Sequence, residues 1–140
     1  MANPYHHAVS SQRKWGGSIE DYLRLHAWFD ESKEHHGDFR HRALRHHSQG
    51  IFEAERMFGH TVTISTGRAI PVRWIGEQHV VEDCGRIPSL SDWLRAIRPE
   101  PWMNRPRKLA RELAGSAPPA TEATKLDREL RPSQAAGDRA

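Results

Sequence analysis

The stretch HAWFDESKEHHGDFRHRALRHH, residues 26–47, carries six of the ten histidines of a 140-residue chain, with four acidic side chains among them. Its reading decides the fold, because it joins two runs of helical spacing. Just upstream, Ser18 offers a helix N-cap, and Glu20 and Asp21 stand in the first turn, where the helix dipole favours negative charge. Ile19, Tyr22, Leu23, His26 and Phe29 follow on one face, so a helix is expected over residues 18–35, ended by Gly37. A second helix is expected over residues 38–58, stopped by Gly59, with Leu44, His47, Ile51, Glu55 and Phe58 as its inward stripe. Two helices with so short a break between them predict an antiparallel pair.

Outward from that pair the patterns change. MANPYHHAVSSQRKWGG, residues 1–17, is polar and closes on Gly-Gly, and reads as an ordered arm or a loop. HTVTIS and RAIPVRWI, on either side of Thr66-Gly67, alternate β-branched residues around a turn and predict a β-hairpin, with Pro71 restricting its strand to an edge or bulge. GEQHVVEDCG then reads as a short loop or helical turn. SDWLRAI predicts a last short helix, capped by Ser89 or Ser91 and ended by Pro99 and Pro101. From Arg105 onward Pro, Ala, Ser and Thr with scattered charge carry no apolar stripe, and residues 105–140 are expected to form a disordered tail. The expected fold is therefore α+β and mainly helical, a single compact domain over residues 1–104.

Charge supports the same division. Residues 1–104 hold 13 Lys/Arg against 13 Asp/Glu, whereas residues 105–140 hold eight against five. The net charge of +3 thus reports a basic tail, and nucleic acid, if it is a partner, is expected to be met there. Cys84 is the one cysteine, so neither an internal disulfide nor a cysteine-based zinc site can form, and a reducing, cytoplasmic setting is expected. Neither a signal peptide nor a bilayer-spanning apolar run is visible, and no membrane association is expected. A core this small leaves room for a homodimer.

The chemistry lies with imidazole and carboxylate. His41, His47 and Glu55 fall near the apolar stripe of the second expected helix, and His26 and Asp30 lie one turn apart on the first. An unpaired buried carboxylate costs several kcal/mol, so Asp30 and Glu55 need partners: either facing imidazoles or a shared cation. The expected ligand set is His26, His41, His47 and Glu55 with Asp30 and His79, holding a divalent transition metal such as Zn²⁺, Mn²⁺ or Fe²⁺, with Glu82 beside it as a general base. The competing expectation is that these groups pair with one another and only specify packing. His6, His7, His35, His36 and His46 read as solvated, and Arg40, Arg42 and Arg45 as an exposed face. Cys84, among acidic neighbours, is expected to have a raised pKa and no nucleophilic role.

Five stretches carry a resemblance: HHAVSSQRKWGG, DYLRLHAWFDESK, FRHRALRHHSQGIFEAERMFG, PVRWIGEQHVVEDCGRIP and DWLRAIRPEPWM. Together, over residues 4–103, they resemble a family of short bacterial and phage-encoded proteins known as a domain of unknown function. RHRALRHHSQGIFEAERMF is also similar to the helix of HD-type metal-dependent phosphohydrolases that begins with a ligand histidine, which implies that His46 or His47 is a ligand. The His-Asp dipeptide of that family does not occur in this chain. Two functions follow as expectations: a metal-dependent hydrolase of a phosphate-containing or other small polar substrate, or a non-enzymatic accessory or interaction protein whose His/carboxylate pairs are structural.

Overall fold

A computed structural model describes residues 3–104, so the basic tail lies outside the described residues. The chain divides after Arg98. All elements below precede that point, apart from a 3-10 turn at Pro101–Asn104. The fold is mainly helical with one two-stranded antiparallel hairpin: α1 (Pro4–Trp15), α2 (Glu20–Asp30), α3 (Ser48–Phe58), β1 (Thr61–Thr63), β2 (Ala69–Pro71), α4 (Val72–Cys84) and α5 (Leu90–Leu94). No helix among the described residues is long and apolar enough to cross a membrane.

Two segments are more ordered than their composition suggests. The expected N-terminal arm is the helix α1, started by the Asn3 side chain accepting from the Tyr5 amide, with Pro4 at the first helical position, where its missing N–H costs nothing. Sparse apolar residues hide the helix in the sequence, because its buried face is His7, Ala8, Ser11 and Trp15. The expected turn at residues 76–85 is the body of α4, which also buries a polar residue, His79, between Ile75 and Val80. Each of the two expected helices therefore gains a partner the sequence concealed: α2 packs chiefly against α1, and α3 against α4.

The second expected helix is also shorter than its pattern. Asp38 accepts from the Arg40 amide at 2.9 Å and opens a 3-10 segment, Phe39–Leu44. The chain then turns through Arg45 and His46 before α3 begins. His47 is extended, and its Nδ1 accepts from the Gly50 amide at 2.9 Å, making it the N-cap of α3. A residue at an N-cap has left the helical repeat, so the stripe that placed His47 on an inward helical face breaks there.

The hairpin follows the sequence reading, with Val62 opposite Ile70 and Thr61 opposite Pro71. With only two strands both are edges, and Pro71 ends β2 where its missing N–H is not needed. Gly67, at φ +86, makes the turn and donates to the Ile64 carbonyl at 2.8 Å. The apolar core, Tyr22, Leu25, Phe29, Ile51, Ile70 and Ile75 among others, lies between α2, α3, the hairpin and α4.

Asp21 ties the hairpin turn to the start of α2. One carboxylate oxygen accepts from the Ser18 amide at 2.7 Å and from the Ser65 amide and hydroxyl at 3.1 and 2.8 Å. These hydrogen bonds, the Ser18 amide first, hold its pKa below the usual carboxylate value. D21A is expected to cost about 1 kcal/mol, in the range of a lost helix cap, and to lower Tm by about 4–8 °C. Because the folded pKa is depressed, this contribution is complete above the unfolded carboxylate pKa of about 3.9 and fades as pH falls below it. A thermal melt of D21A at neutral pH that superimposes on wild type would rule out the tie.

Candidate metal centre

Five segments deliver side chains to one buried point. His7 comes from α1, Asp30 from the last residue of α2, His41 from the 3-10 segment, His46 from the turn before α3, and His79 and Asp83 from one face of α4 at i, i+4. The four imidazoles are 0–1% exposed and Asp30 is 5% exposed. The Asp83 side chain is 3% exposed. Phe29 stacks on the His79 ring at 4.8 Å between centroids and separates this polar pocket from the apolar core.

The turn carrying His46 is fixed from both sides. Trp93 Nε1 donates to the His46 carbonyl at 2.9 Å, and the Ser48 amide donates to the Pro88 carbonyl at 2.9 Å. α5, which holds Trp93, starts with a reciprocal Ser89–Asp92 capping box. On the other side, a Cβ at Gly50 would lie 1.9 Å from the Arg45 carbonyl oxygen, so only glycine lets the turn close on α3.

Protonation can be read from the outer hydrogen bonds. Gln78 Nε2 donates to the His7 carbonyl and to Glu82 Oε1, groups that only accept, which turns Gln78 Oε1 toward Ser11. The Ser11 hydroxyl gives its one proton to Gln78 Oε1 at 2.8 Å, so its oxygen accepts from His26 Nε2–H at 2.8 Å. Burial first, then the neighbouring imidazoles His79 and His7, lower the His26 pKa to about 2, so that ring is neutral. Its Nδ1 is then an acceptor, and the His79 Nδ1, 3.0 Å away, must donate to it. His7 Nδ1 donates to Glu82 Oε2 at 2.6 Å, and His41 Nδ1 donates to the Asp38 carbonyl at 2.7 Å.

Three rings thus spend their Nδ1 protons outward, and in their neutral forms each turns a bare Nε2 lone pair inward. What those nitrogens face are also acceptors. His79 Nε2 lies 3.5 Å from Asp30 Oδ1 and 3.5 Å from Asp83 Oδ2, His41 Nε2 3.5 Å from Asp30 Oδ1, and His7 Nε2 3.4 Å from Asp83 Oδ1. His46 Nε2 approaches more closely, 2.9 Å from Asp83 Oδ2 and 3.1 Å from His79 Nε2. His7 Nε2, His41 Nε2 and both Asp30 oxygens are buried with no hydrogen-bond partner among the described residues.

Separations of 3.4–3.5 Å are long for hydrogen bonds. They match the spacing of neighbouring donors on one ion, since bonds of about 2.1 Å put tetrahedral or octahedral neighbours about 3.0–3.4 Å apart. Burial by itself would raise the Asp30 and Asp83 pKa values. The histidines around them, His46 first, reverse this and hold both carboxylates below their ordinary range. That depression belongs to the state in which the rings carry an extra proton. With His7, His41 and His79 neutral, the two carboxylates face nitrogen lone pairs, an arrangement that a cation, either a proton or a metal ion, stabilises.

Of the residues singled out in the sequence, His41, His79 and Asp30 meet here. His26 is next to them, but both its nitrogens are used, and it orients His79. Glu82 sits behind His7, each carboxylate oxygen accepting one hydrogen bond, from His7 and from Gln78. The structure does not bring His47 or Glu55 to this point. His47 uses both nitrogens locally, accepting from Gly50 and donating to the Leu44 carbonyl. Glu55 is half-buried on α3, 3.4 Å from the exposed His60.

The helical stripes did not select His7, His46 or Asp83, although the resemblance to HD-type phosphohydrolases offered His46 or His47. The repeat of His-x-x-x-Asp at 26–30 and at 79–83 was the available signal for Asp83. Arg42 and Arg45 also turn inward rather than lining an exposed face. Arg42 Nη1 donates to the Asp83 carbonyl at 3.1 Å, and Arg45 lies 4.1 Å over the Trp28 ring and pairs with Glu31. Burial, its largest influence, raises the Cys84 pKa.

A groove of about 440 Å³ runs along the outside of the centre between α1 and α4, lined by Lys14, Trp15, Trp74, Gln78, Glu82 and Ile87 among others. Gln78 and Glu82 belong to both, so the groove reaches His7 through one layer of side chains.

In comparisons with known proteins, residues 2–103 match a family described as a domain of unknown function, DUF6915. No curated protein and no solved structure matches.

Proposed function

The chain belongs to the DUF6915 family, a domain of unknown function, and we propose that this domain is a metal-dependent hydrolase whose buried His/Asp cluster holds a divalent transition metal. The observation that carries the reading is the forced orientation of His7, His41 and His79, three Nε2 lone pairs directed at two ionised carboxylates. Donation of the outer nitrogen to a carboxylate, carbonyl or second ring is how metal-binding histidines are held in the right tautomer. Nitrogen and carboxylate donors without thiolate suit Zn²⁺, Mn²⁺ or Fe²⁺. Such an ion supplies a water acidified to near neutral pH and a Lewis acid for a phosphoryl or carbonyl oxygen.

The chain's own groups do the rest. Phe29 and the apolar core exclude water from one side, and Glu82 holds the His7 ring as a positioning residue. The groove beside Glu82 is the nearest approach for a substrate. Among the described residues Lys14 is its one cation, set against the carboxylates of Glu77 and Glu82, so the charge of a phosphate ester would have to be met chiefly by the metal.

The test is turnover of phosphomonoesters and phosphodiesters by the full chain, stripped of metal and reloaded with Zn²⁺, Mn²⁺ or Fe²⁺. Hydrolysis is expected only after reloading, with a loss of at least about 100-fold in D83N. S11A, which frees the His26 proton and unfixes the His79 tautomer, is expected to weaken metal binding by about 10–100-fold while leaving the fold intact. Metal affinity unchanged in S11A would contradict the tautomer assignment.

The near-complete burial of the cluster favours one other reading, that the ion or a proton is structural and the domain is an interaction protein. Metal bound with no turnover on either ester class would select it.

A further inference from the structure

We infer that the centre holds two ions rather than one, bridged by the carboxylate of Asp30. The inference rests on the metal reading above and deepens it by naming the substrate class, a phosphate ester clamped between paired ions. The donor atoms fall into two sets, each mutually within 4.8 Å: His7, Asp30, His79 and Asp83 in one, and Asp30, His41 and His46 in the other. Among the described residues, Asp30 alone belongs to both.

The shared residue has the chemistry a bridge needs. Its side chain is 3% exposed, and neither oxygen has a hydrogen-bond partner among the described residues. Oδ1 faces His41, His46 and His79 at 3.5 Å each, and Oδ2 forms an ion pair with Lys33 Nζ at 3.3 Å. It closes α2, so the helix and the chain leaving it fix its direction.

Donor number points the same way. A hydrolytic zinc ion uses about three protein ligands and a water, whereas six buried side chains converge here. Shared through Asp30 they give four donors to one ion and three to the other, which leaves an open position at the three-donor ion. His46 Nε2, 3.1 Å from His79 Nε2 and 3.5 Å from Asp30 Oδ1, lies where the two sets meet. Paired ions about 3.5–4 Å apart stabilise both the attacking and the leaving oxygen of a phosphoryl transfer, which is why the substrate assigned is a phosphate ester.

The test uses Mn²⁺ alone. Metal-stripped full chain is titrated with Mn²⁺, the bound metal counted after gel filtration, and the electron paramagnetic resonance spectrum recorded. Expected are about two ions per chain with the spectrum of an exchange-coupled pair, and in H41A about one ion with an isolated-ion spectrum. One uncoupled ion per wild-type chain would overturn the pair and leave the single-metal reading standing. No bound ion would overturn both. The wild-type count and spectrum decide the matter without the variant, and a coupled pair retained in H41A would overturn the assignment of the second set.

Discussion

Stripping divalent metal from the protein is expected to lower its Tm by about 10 °C or more. A ligand that binds only the folded state at about 100 times its Kd stabilises by about 2.7 kcal/mol, and in a domain of this size each kcal/mol moves Tm by about 4–8 °C. The folded state alone assembles donors from α1, α2, the 3-10 segment, the turn and α4, so the unfolded chain competes poorly for the ion.

The pH dependence of the metal-free protein follows from the same groups. Burial lowers the His7 pKa, but hydrogen bonds and charge from Asp83 and Glu82 outweigh it, and the net shift is upward. A raised folded pKa gives stability that is complete below the unfolded histidine value of about 6.5 and is lost as pH rises through the folded value. Asp30 and Asp83 are shifted down, so their contribution is present above about 3.9 and lost as pH falls. Burial lowers the His26 and His47 pKa values, so these two groups cost stability as pH falls below about 6.5. Metal-free protein should therefore melt highest near that pH and lower at pH 8, and added Zn²⁺ should remove the alkaline decline. A metal-free Tm that goes on rising from pH 7 to pH 8 would mean that the proton is not the alternative cation.

G50A is expected to destabilise by about 3 kcal/mol or more, or to prevent folding. The new Cβ would stand 1.9 Å from the Arg45 carbonyl oxygen and 2.6 Å from its carbon, both backbone atoms that no rotamer change can move. Overpacking that displaces backbone exceeds the usual 1–3 kcal/mol for an added methyl group. Relief requires shifting the turn Arg45–His47, which carries His46 and the cap of α3, so metal binding should weaken together with stability. G37A is the control, because nothing among the described residues lies within 4 Å of its Cβ. A G50A melt within 2 °C of wild type would show that the turn is not held as described.

Reading the sequence went furthest where apolar periodicity is strong. The face of α2 and the alternation around Thr66-Gly67 indicated a helix and a hairpin, and both are present. It went less far wherever the buried face is polar. α1 buries His7 and Ser11, and α4 buries His79 beside Gly76, so neither shows the stripe that marks a packed helix. The same fact divided the site. Asp30, His41 and His79 could be found because their burial was implied by neighbours, whereas His7 stood in what read as a loop. His46 and His47 are adjacent, and only the position of the helix start decides which faces the centre. His47 became the cap and His46 turned inward, a difference set by the close approach of Arg45 to Gly50.

The most direct measurement is the metal content of the tag-free full chain, purified without chelator, together with its melt before and after chelation. At least about one zinc, manganese or iron per chain is expected, with Tm falling on chelation and recovering when the ion is restored. Protein that carries none of these, and whose melting does not respond when each is added, would contradict a metal centre at His7, Asp30, His41, His46, His79 and Asp83.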